Sequence, residues 1–413
     1  MDLNLRNDDA YAALRIKDFK MFVFARFFLT FGIQMQSVIV GWQIYELTHD
    51  ALSLGLIGLA EALPFLTISL FGGHVADGVD RKKIIQIASI IYLLCAAALY
   101  LLSSLFHSVL LHEGIISIYA VIFVTGLARG FLSPAQGAFF AQLIPRELYG
   151  NASTWSSLGW QVAAVTGPAV GGLVYGFYGV ATAYFCVIIM CTSGFIFYST
   201  VTNKPIPPRK TKETVIKSLS EGLKFVYRNE IILSAISLDM FAVFFGGAVA
   251  VLPIFADRIL HIGAKGLGFL RAAPAVGAIL MSIVQAYYPL FKKAGRNLLM
   301  CVFGFGIAMV LFAISKNFYL SMALLLISGM FDNVSVVVRA TIIQLFTPDE
   351  MRGRVSAING IFISSSNELG SFESGVAAKL IGLVPSVILG GVMTLIVVSG
   401  VQRLAPALRR LKL

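Results

Sequence analysis

The stretch NKPIPPRKTKETVIKSLSEGLKFVYRN, residues 203–229, is the one long polar connector between apolar runs in this chain. It opens as a basic, proline-rich linker (Lys204, Pro205, Pro207, Pro208, Arg209, Lys210, Lys212). Ile216, Leu219, Leu223 and Val226 then recur at steps of 3, 4 and 3, which is one face of a helix. Lys217, Lys224 and Arg228 flank that face, the pattern of a short helix lying on the cytoplasmic leaflet. Six apolar runs precede the connector, at 20–46, 53–76, 84–106, 116–140, 153–178 and 180–201. Six follow it, at 231–256, 265–290, 297–315, 318–343, 355–381 and 385–402. Runs of this length without period-two alternation satisfy their backbone in hydrocarbon only as helices. The expected fold is an all-α membrane protein of twelve transmembrane helices in two six-helix bundles.

Composition agrees. Hydrophobic residues make up 58% of the 413 and charged residues 13%, against about 45–50% and about a quarter in soluble domains. Mean hydropathy is +0.84. A soluble enzyme and a large extramembrane domain are both excluded. The formal charge of +11 reflects topology rather than nucleic-acid binding. Of 32 Lys and Arg residues, 24 fall in the tails and loops of one side, 3 in the opposite loops (Arg258, Lys265, Lys316) and 5 within spans. That bias places both termini in the cytoplasm.

The expected divisions are a cytoplasmic tail (1–19), an N-terminal bundle (20–202), the connector with its interfacial helix (203–229), a C-terminal bundle (230–403) and a basic tail (404–413). The polar first 20 residues do not read as a signal peptide. Cys95, Cys186, Cys191 and Cys301 sit in apolar runs without a CxxC or a His/Cys cluster, so they read as core residues. No metal and no cofactor is expected.

The halves repeat at an offset of 203. Gly126, Pro145, Glu147, Gly150, Ser153, Gly167 and Gly172 match Gly329, Pro348, Glu350, Gly353, Ser356, Gly370 and Gly375. Pseudo-symmetric halves with a site at their interface are a transporter plan.

Ten ionisable residues fall within spans: Arg26, Glu61, Arg129, Asp239, Arg271, Asp332, Arg339, Glu368, Glu373 and Lys379. The third, sixth, ninth and twelfth spans hold none and are expected to face lipid, while the other eight enclose a polar path. Arg339 and Lys379 lie near span ends and Arg271 in an outer third, positions suited to snorkelling. Glu61, Arg129, Asp332 and Glu368 lie near mid-depth, with Asp239 and Glu373 off centre. Arg129 and Asp332 correspond at the offset of 203, so they read either as a pair locking the halves or as transport groups. Carboxylates in low-dielectric surroundings are costly to ionise and can load and release protons. Glu61, Asp239, Asp332 and Glu368 are the candidates.

Gly72-Gly73-His74-Val75-Ala76-Asp77-Gly78-Val79-Asp80-Arg81-Lys82-Lys83 joins the second and third spans. It resembles the loop signature of the major facilitator superfamily, with Gly78 where an arginine is usual. The resemblance implies a cytoplasmic gate of Gly73, Asp77, Asp80 and Arg81, in which Asp77 caps a helix or pairs with Arg81. Lys292-Lys293-Ala294-Gly295-Arg296 is a degenerate second copy. In the fifth span Gly159 precedes Gly167-Pro168-Ala169-Val170-Gly171-Gly172, with Gly176 extending a GxxxG. This resembles the superfamily's antiporter signature, marked by Gly167, Pro168, Gly171 and Gly172. Arg129 matches the arginine of a fourth-span motif in proton-coupled drug exporters, although Leu132 and Ser133 replace the Gln and Gly expected there.

Ala25-Arg26-Phe27, Thr48-His49, Leu252-Pro253-Ile254-Phe255-Ala256-Asp257, Gly268-Phe269-Leu270 and Thr347-Pro348-Asp349-Glu350-Met351-Arg352-Gly353-Arg354-Val355 are similar to the bacterial branch containing enterobactin exporters and macrolide efflux pumps. The resemblance implies a monomeric proton antiporter of the bacterial inner membrane that exports a siderophore-like compound or a drug. A facilitator or importer of the same fold is the nearest rival. No G-x-x-x-x-G-K-[ST] is present to support an ATP-driven pump. A membrane-embedded enzyme would need a His and acid constellation that His49, His74, His107, His112 and His261 do not supply.

Overall fold

The computed structural model describes residues 11–104, 115–205, 215–287, 293–348 and 351–411. The helices are α1 (Lys17–Thr48), α2 (Ala51–Gly78), α3 (Arg81–Ser104), α4 (Ile116–Leu143), α5 (Tyr149–Thr200), α6 (Val215–Arg228) and α7 (Glu230–Gly246). After a 3-10 turn (Ala248–Val251) and a π turn (Phe255–Ile259) come α8 (Gly263–Tyr287), α9 (Ala294–Ile314), α10 (Phe318–Phe346), α11 (Arg352–Ile381), α12 (Leu383–Leu404) and the short α13 (Pro406–Arg410). There is no strand among the described residues.

Ten helical stretches are long and apolar enough to cross a membrane. One is α5, whose 52 residues as one straight helix would extend about 78 Å at 1.5 Å per residue, more than twice a hydrocarbon core of about 30 Å. It divides at Gly179, where φ is 82° and ψ is 173°. The 30-residue α11 also has the length of a span but carries Asn359, Asn367, Glu368 and Glu373. With α5 counted twice and α11 included, the crossings number twelve. The 203-residue offset recurs in the backbone itself: Gly382, between α11 and α12, has φ 92° and ψ 159°. Both glycines occupy a region that only glycine enters without strain, and each turns the chain from the fifth to the sixth span of its half.

The chain divides into two compact units: Met1–Gln43 with Leu63–Lys212, and Ile44–Ala62 with Glu213–Leu413. In the first, α3 packs on α4 and α5. A Cβ on Gly167 would sit 2.9 Å from the Phe31 carbonyl oxygen, and one on Gly171 would sit 3.0 Å from that of Met35, so these glycines seat α5 against α1. Pro168 and Gly172 are buried beside them. Tyr184, fully buried, donates to Gln43 Oε1 at 2.7 Å, and Gln43 Nε2 donates to Ser103 Oγ at 2.8 Å. One polar chain thus joins α5, α1 and α3.

In the second unit, Leu238, Leu298, Val338, Ile342 and Leu408 form the main core. Gly370, the counterpart of Gly167, has its Cβ position 2.7 Å from the Phe244 carbonyl oxygen, so α11 seats on α7 as α5 seats on α1. A Cβ on Gly375, the counterpart of Gly172, would lie 2.6 Å from Gly55 Cα. The α6 face expected to lie on the leaflet turns inward at Val226, which is buried with Ile232, Ile236, Ile343, Val355 and Ile358. Glu221 pairs with Arg354 of α11 and holds α6 there, while Leu223 and Tyr227 remain exposed. The side chains of Ile216, Lys217 and Leu219 lie outside the described residues, as do Arg209, Lys210 and Lys212.

Candidate functional site

The densest intramembrane charge lies in the second unit. Asp239 of α7 forms an ion pair with Arg339 of α10, and each side chain is 5% exposed or less. This corrects the reading of Arg339 as a snorkelling residue. Its guanidinium is held inside the bundle because the carboxylate facing it offsets part of the desolvation cost. Asp239 also lines a cavity with Ala242, Val243, Val302, Phe305, Phe331, Asp332 and Ser335, with room for about one water molecule. Ser335 is 3% exposed and its Oγ has no hydrogen-bond partner among the described residues. No cation or donor pairs with Asp332 among the described residues. Asp332, Ser335 and Arg339 stand at i, i+3 and i+7, one face of α10. The one guanidinium therefore pairs with Asp239 and, among the described residues, leaves the second carboxyl group, that of Asp332, without a cation in a largely apolar shell. An unpaired carboxylate there is costly, and proton binding is the chemistry the arrangement offers.

The remaining candidates are distributed over both units. Arg26 of α1 donates through Nη1 to Ser156 Oγ of α5 at 2.6 Å. Arg129 of α4 lies over the Phe65 ring, 4.9 Å from its centroid. Glu61 belongs to the second unit, where a Cβ on neighbouring Gly58 would sit 2.6 Å from the Glu368 carbonyl oxygen. Glu61 and Glu368 are half-buried. Glu373 is also half-buried, and the next residue, Ser374, donates through Oγ to the Gly247 carbonyl at 3.1 Å. Arg271, expected to snorkel, has its Nε buried with no hydrogen-bond partner among the described residues.

Lys379, likewise read as snorkelling, pairs with Asp50 between α1 and α2, Nζ to Oδ1 at 2.6 Å. Burial opposes ionisation of Asp50. The bonds from Lys379 and from the Ser53 amide and hydroxyl outweigh that and hold its carboxyl below the usual value. Nearby, Tyr45 Oη donates to Asp257 Oδ2 at 2.6 Å and Arg258 Nη2 donates to the His49 carbonyl at 2.9 Å.

In the loop signature, Asp80 caps α3, its Oδ1 accepting from the Lys82 amide at 3.0 Å. Arg81 Nη1 donates to the Ala138 carbonyl at 3.2 Å. Lys82 Nζ donates to the Ser199 and Val201 carbonyls at 2.9 and 2.6 Å, a cation at the carboxyl end of α5. The Asp77 side chain and the Gly73 site lie outside the described residues, as do His107, His112 and Glu113. Among the described residues, no group of three or more His, Cys, Asp or Glu side chains could hold a metal ion. The four cysteines are free.

Twelve membrane crossings with a repeated backbone, and charge concentrated within the bundles, define a multi-pass membrane transporter of the major facilitator type rather than an enzyme. The chain belongs to the Transmembrane secretion effector family, whose model matches residues 8–411. Its relatives include the enterobactin exporter EntS of Shigella dysenteriae serotype 1 (strain Sd197). That protein is 27% identical over 372 residues, covering 88% of this chain and 84% of the relative. EntS of Escherichia coli O1:K1 / APEC matches to the same extent. Similar solved structures include a bacterial homologue of the human lysosomal transporter Spinster, inward-facing and unoccupied, at TM-score 0.74 and 15% identity, covering 95% of this chain and 97% of that one. A POT family transporter in complex with 5-aminolevulinic acid gives TM-score 0.76 at 11% identity, covering 94% and 96%.

Proposed function

We propose that the protein exports a small molecule, a siderophore-like compound or a drug, from the cytoplasm across a bacterial inner membrane by alternating access, in exchange for protons. The observation that carries this reading is the Asp239–Arg339 pair beside Asp332 and Ser335. A proton on Asp332 neutralises a buried charge. A proton on Asp239 would release Arg339, so loading the pocket changes which interactions α7 and α10 can make. The family and the relatives named as enterobactin exporters support export as the direction.

In this reading Arg26, Glu61, Arg129, Asp239, Asp332, Glu368 and Glu373 are the groups that handle protons and substrate. Gly73, Asp77, Asp80 and Arg81 form a gate at the cytoplasmic end, and the Gly167, Pro168, Gly171 and Gly172 run lets helices slide closely past one another. The protein works as a monomer.

Export is tested in a deletion strain. Siderophore retention and drug sensitivity, measured side by side, should show retention of one compound class or gain of sensitivity to it, reversed by the wild-type gene. A strain unchanged in both would remove export as the function. Orientation is tested by labelling single cysteines placed at Ser108 and Thr211 with an impermeant maleimide in whole cells. Ser108→Cys should react and Thr211→Cys should not; the reverse pattern would contradict cytoplasmic termini.

A further inference from the structure

The charges inside the membrane segregate by unit. Away from their ends, the spans of the first unit hold two charged side chains, Arg26 and Arg129, and no carboxylate. The acids Glu61, Asp239, Asp332, Glu368 and Glu373 belong to the second unit with Arg271, Arg339 and Lys379.

Arg26 has the sharper consequence. An arginine within hydrocarbon is costly and is normally matched by an acid or faces a polar path. Among the described residues Arg26 has no acidic partner; its one hydrogen bond goes to Ser156 Oγ, a neutral acceptor on a 5% exposed residue. The remaining guanidinium donors of the fork have no acceptor among the described residues. A second donor lies close by. Tyr198 of α5 is 0% exposed, and its ring packs on Phe22 at 5.9 Å. Its Oη accepts from Gln136 Nε2 of α4 at 2.7 Å, which leaves its own O–H to donate. Phe22 stands one helical turn before Arg26 on the same face of α1, which sets Tyr198 beside the Arg26 turn. Three helices thus converge on a cation, a phenol and a hydroxyl that together present donors and a net positive charge.

We infer that this cluster is an anion-binding subsite, and that the exported molecule carries an oxyanion, a carboxylate or a catecholate, which Arg26 engages with Tyr198 and Ser156 beside it. A planar guanidinium matches such groups in a bidentate manner, which a lysine cannot reproduce. A permanently cationic drug would meet repulsion here. This rests on the proposal that the chain moves a small molecule, but not on proton coupling.

The test is thermal stabilisation of the full-length protein in detergent by a charge-sorted panel. A triscatecholate siderophore, 2,3-dihydroxybenzoylserine and a citrate-type carboxylate siderophore form one arm; erythromycin and ethidium form the other. At least one acid should raise the unfolding midpoint and the cations should not. Arg26→Gln should raise the half-saturating concentration of that acid by about tenfold or more, and Arg26→Lys should recover only part of it. If Arg26→Gln does not fold, Arg26→Lys carries the test through its own smaller rise in the half-saturating concentration.

Stabilisation by the cations alone, no stabilisation by any acid, or acid binding unchanged in both variants would overturn the proposal. The coupling proposal fails separately: anion binding through Arg26 would stand even if transport proved indifferent to a proton gradient.

Discussion

Arg339→Leu is expected to destabilise the second unit by about 3–5 kcal/mol, the usual cost of leaving one partner of a buried ion pair uncompensated. Asp239 would then sit buried without its cation, next to Asp332, which offers it only like charge. In a unit of this size such a loss lowers the thermal midpoint by roughly 6 °C or more. Asp239→Leu with Arg339→Leu removes both charges and should restore most of that stability, since apolar replacements of buried pairs are often neutral or better. Transport should be absent from the single and the double variant alike, because the pocket has lost its titratable partner for Arg339. Unfolding curves of the detergent-solubilised protein decide the matter. A single variant that melts with the wild type would show that the pair carries no structural weight.

Asp332→Asn should separate accumulation from exchange. Asparagine keeps the volume of the side chain and its place on the α10 face, so packing against Phe305 and Phe331 should persist. What is lost is the proton. In vesicles the variant should fail to concentrate substrate against its gradient, a loss of at least about a hundredfold by analogy with removing a positioned proton-transfer group. Exchange of labelled for unlabelled substrate at equal concentrations should continue, since it needs only the conformational cycle. A variant that still concentrates substrate would move coupling to Glu61 or Glu368. One that loses exchange as well would mark Asp332 as a structural residue.

Much of the fold was legible because hydrocarbon leaves so few options. Span lengths and the number of crossings follow from one solvent constraint. The repeat was legible through Gly167, Gly172, Gly370 and Gly375, and the backbone extends it to Gly179 and Gly382, whose positive φ no composition pattern reveals. Depth in the membrane set Glu61, Arg129, Asp332 and Glu368 at the centre and Asp239 off it, and it misassigned Arg339. Proximity to a span end suggests snorkelling only when the side chain has no buried partner, and Asp239, a hundred residues away in sequence, supplies one. The i, i+3, i+7 spacing of Asp332, Ser335 and Arg339 was a signal that could have joined them. Similarly, Lys379 finds Asp50, and Val226 turns α6 onto protein; tertiary packing decides both, and a helical wheel cannot say what lies opposite.

Proton flux itself is the most direct measurement of the central proposal. Everted membrane vesicles containing the protein are energised so that respiration acidifies the lumen, and an acridine dye reports the pH gradient. Adding an acidic siderophore or a drug that the deletion strain handles differently from its parent should release protons from the lumen at once, giving partial dye recovery. Vesicles carrying Asp332→Asn should show no such recovery. If substrate enters wild-type vesicles without any proton release, and continues to accumulate after the gradient is collapsed by a protonophore, proton-coupled export is contradicted.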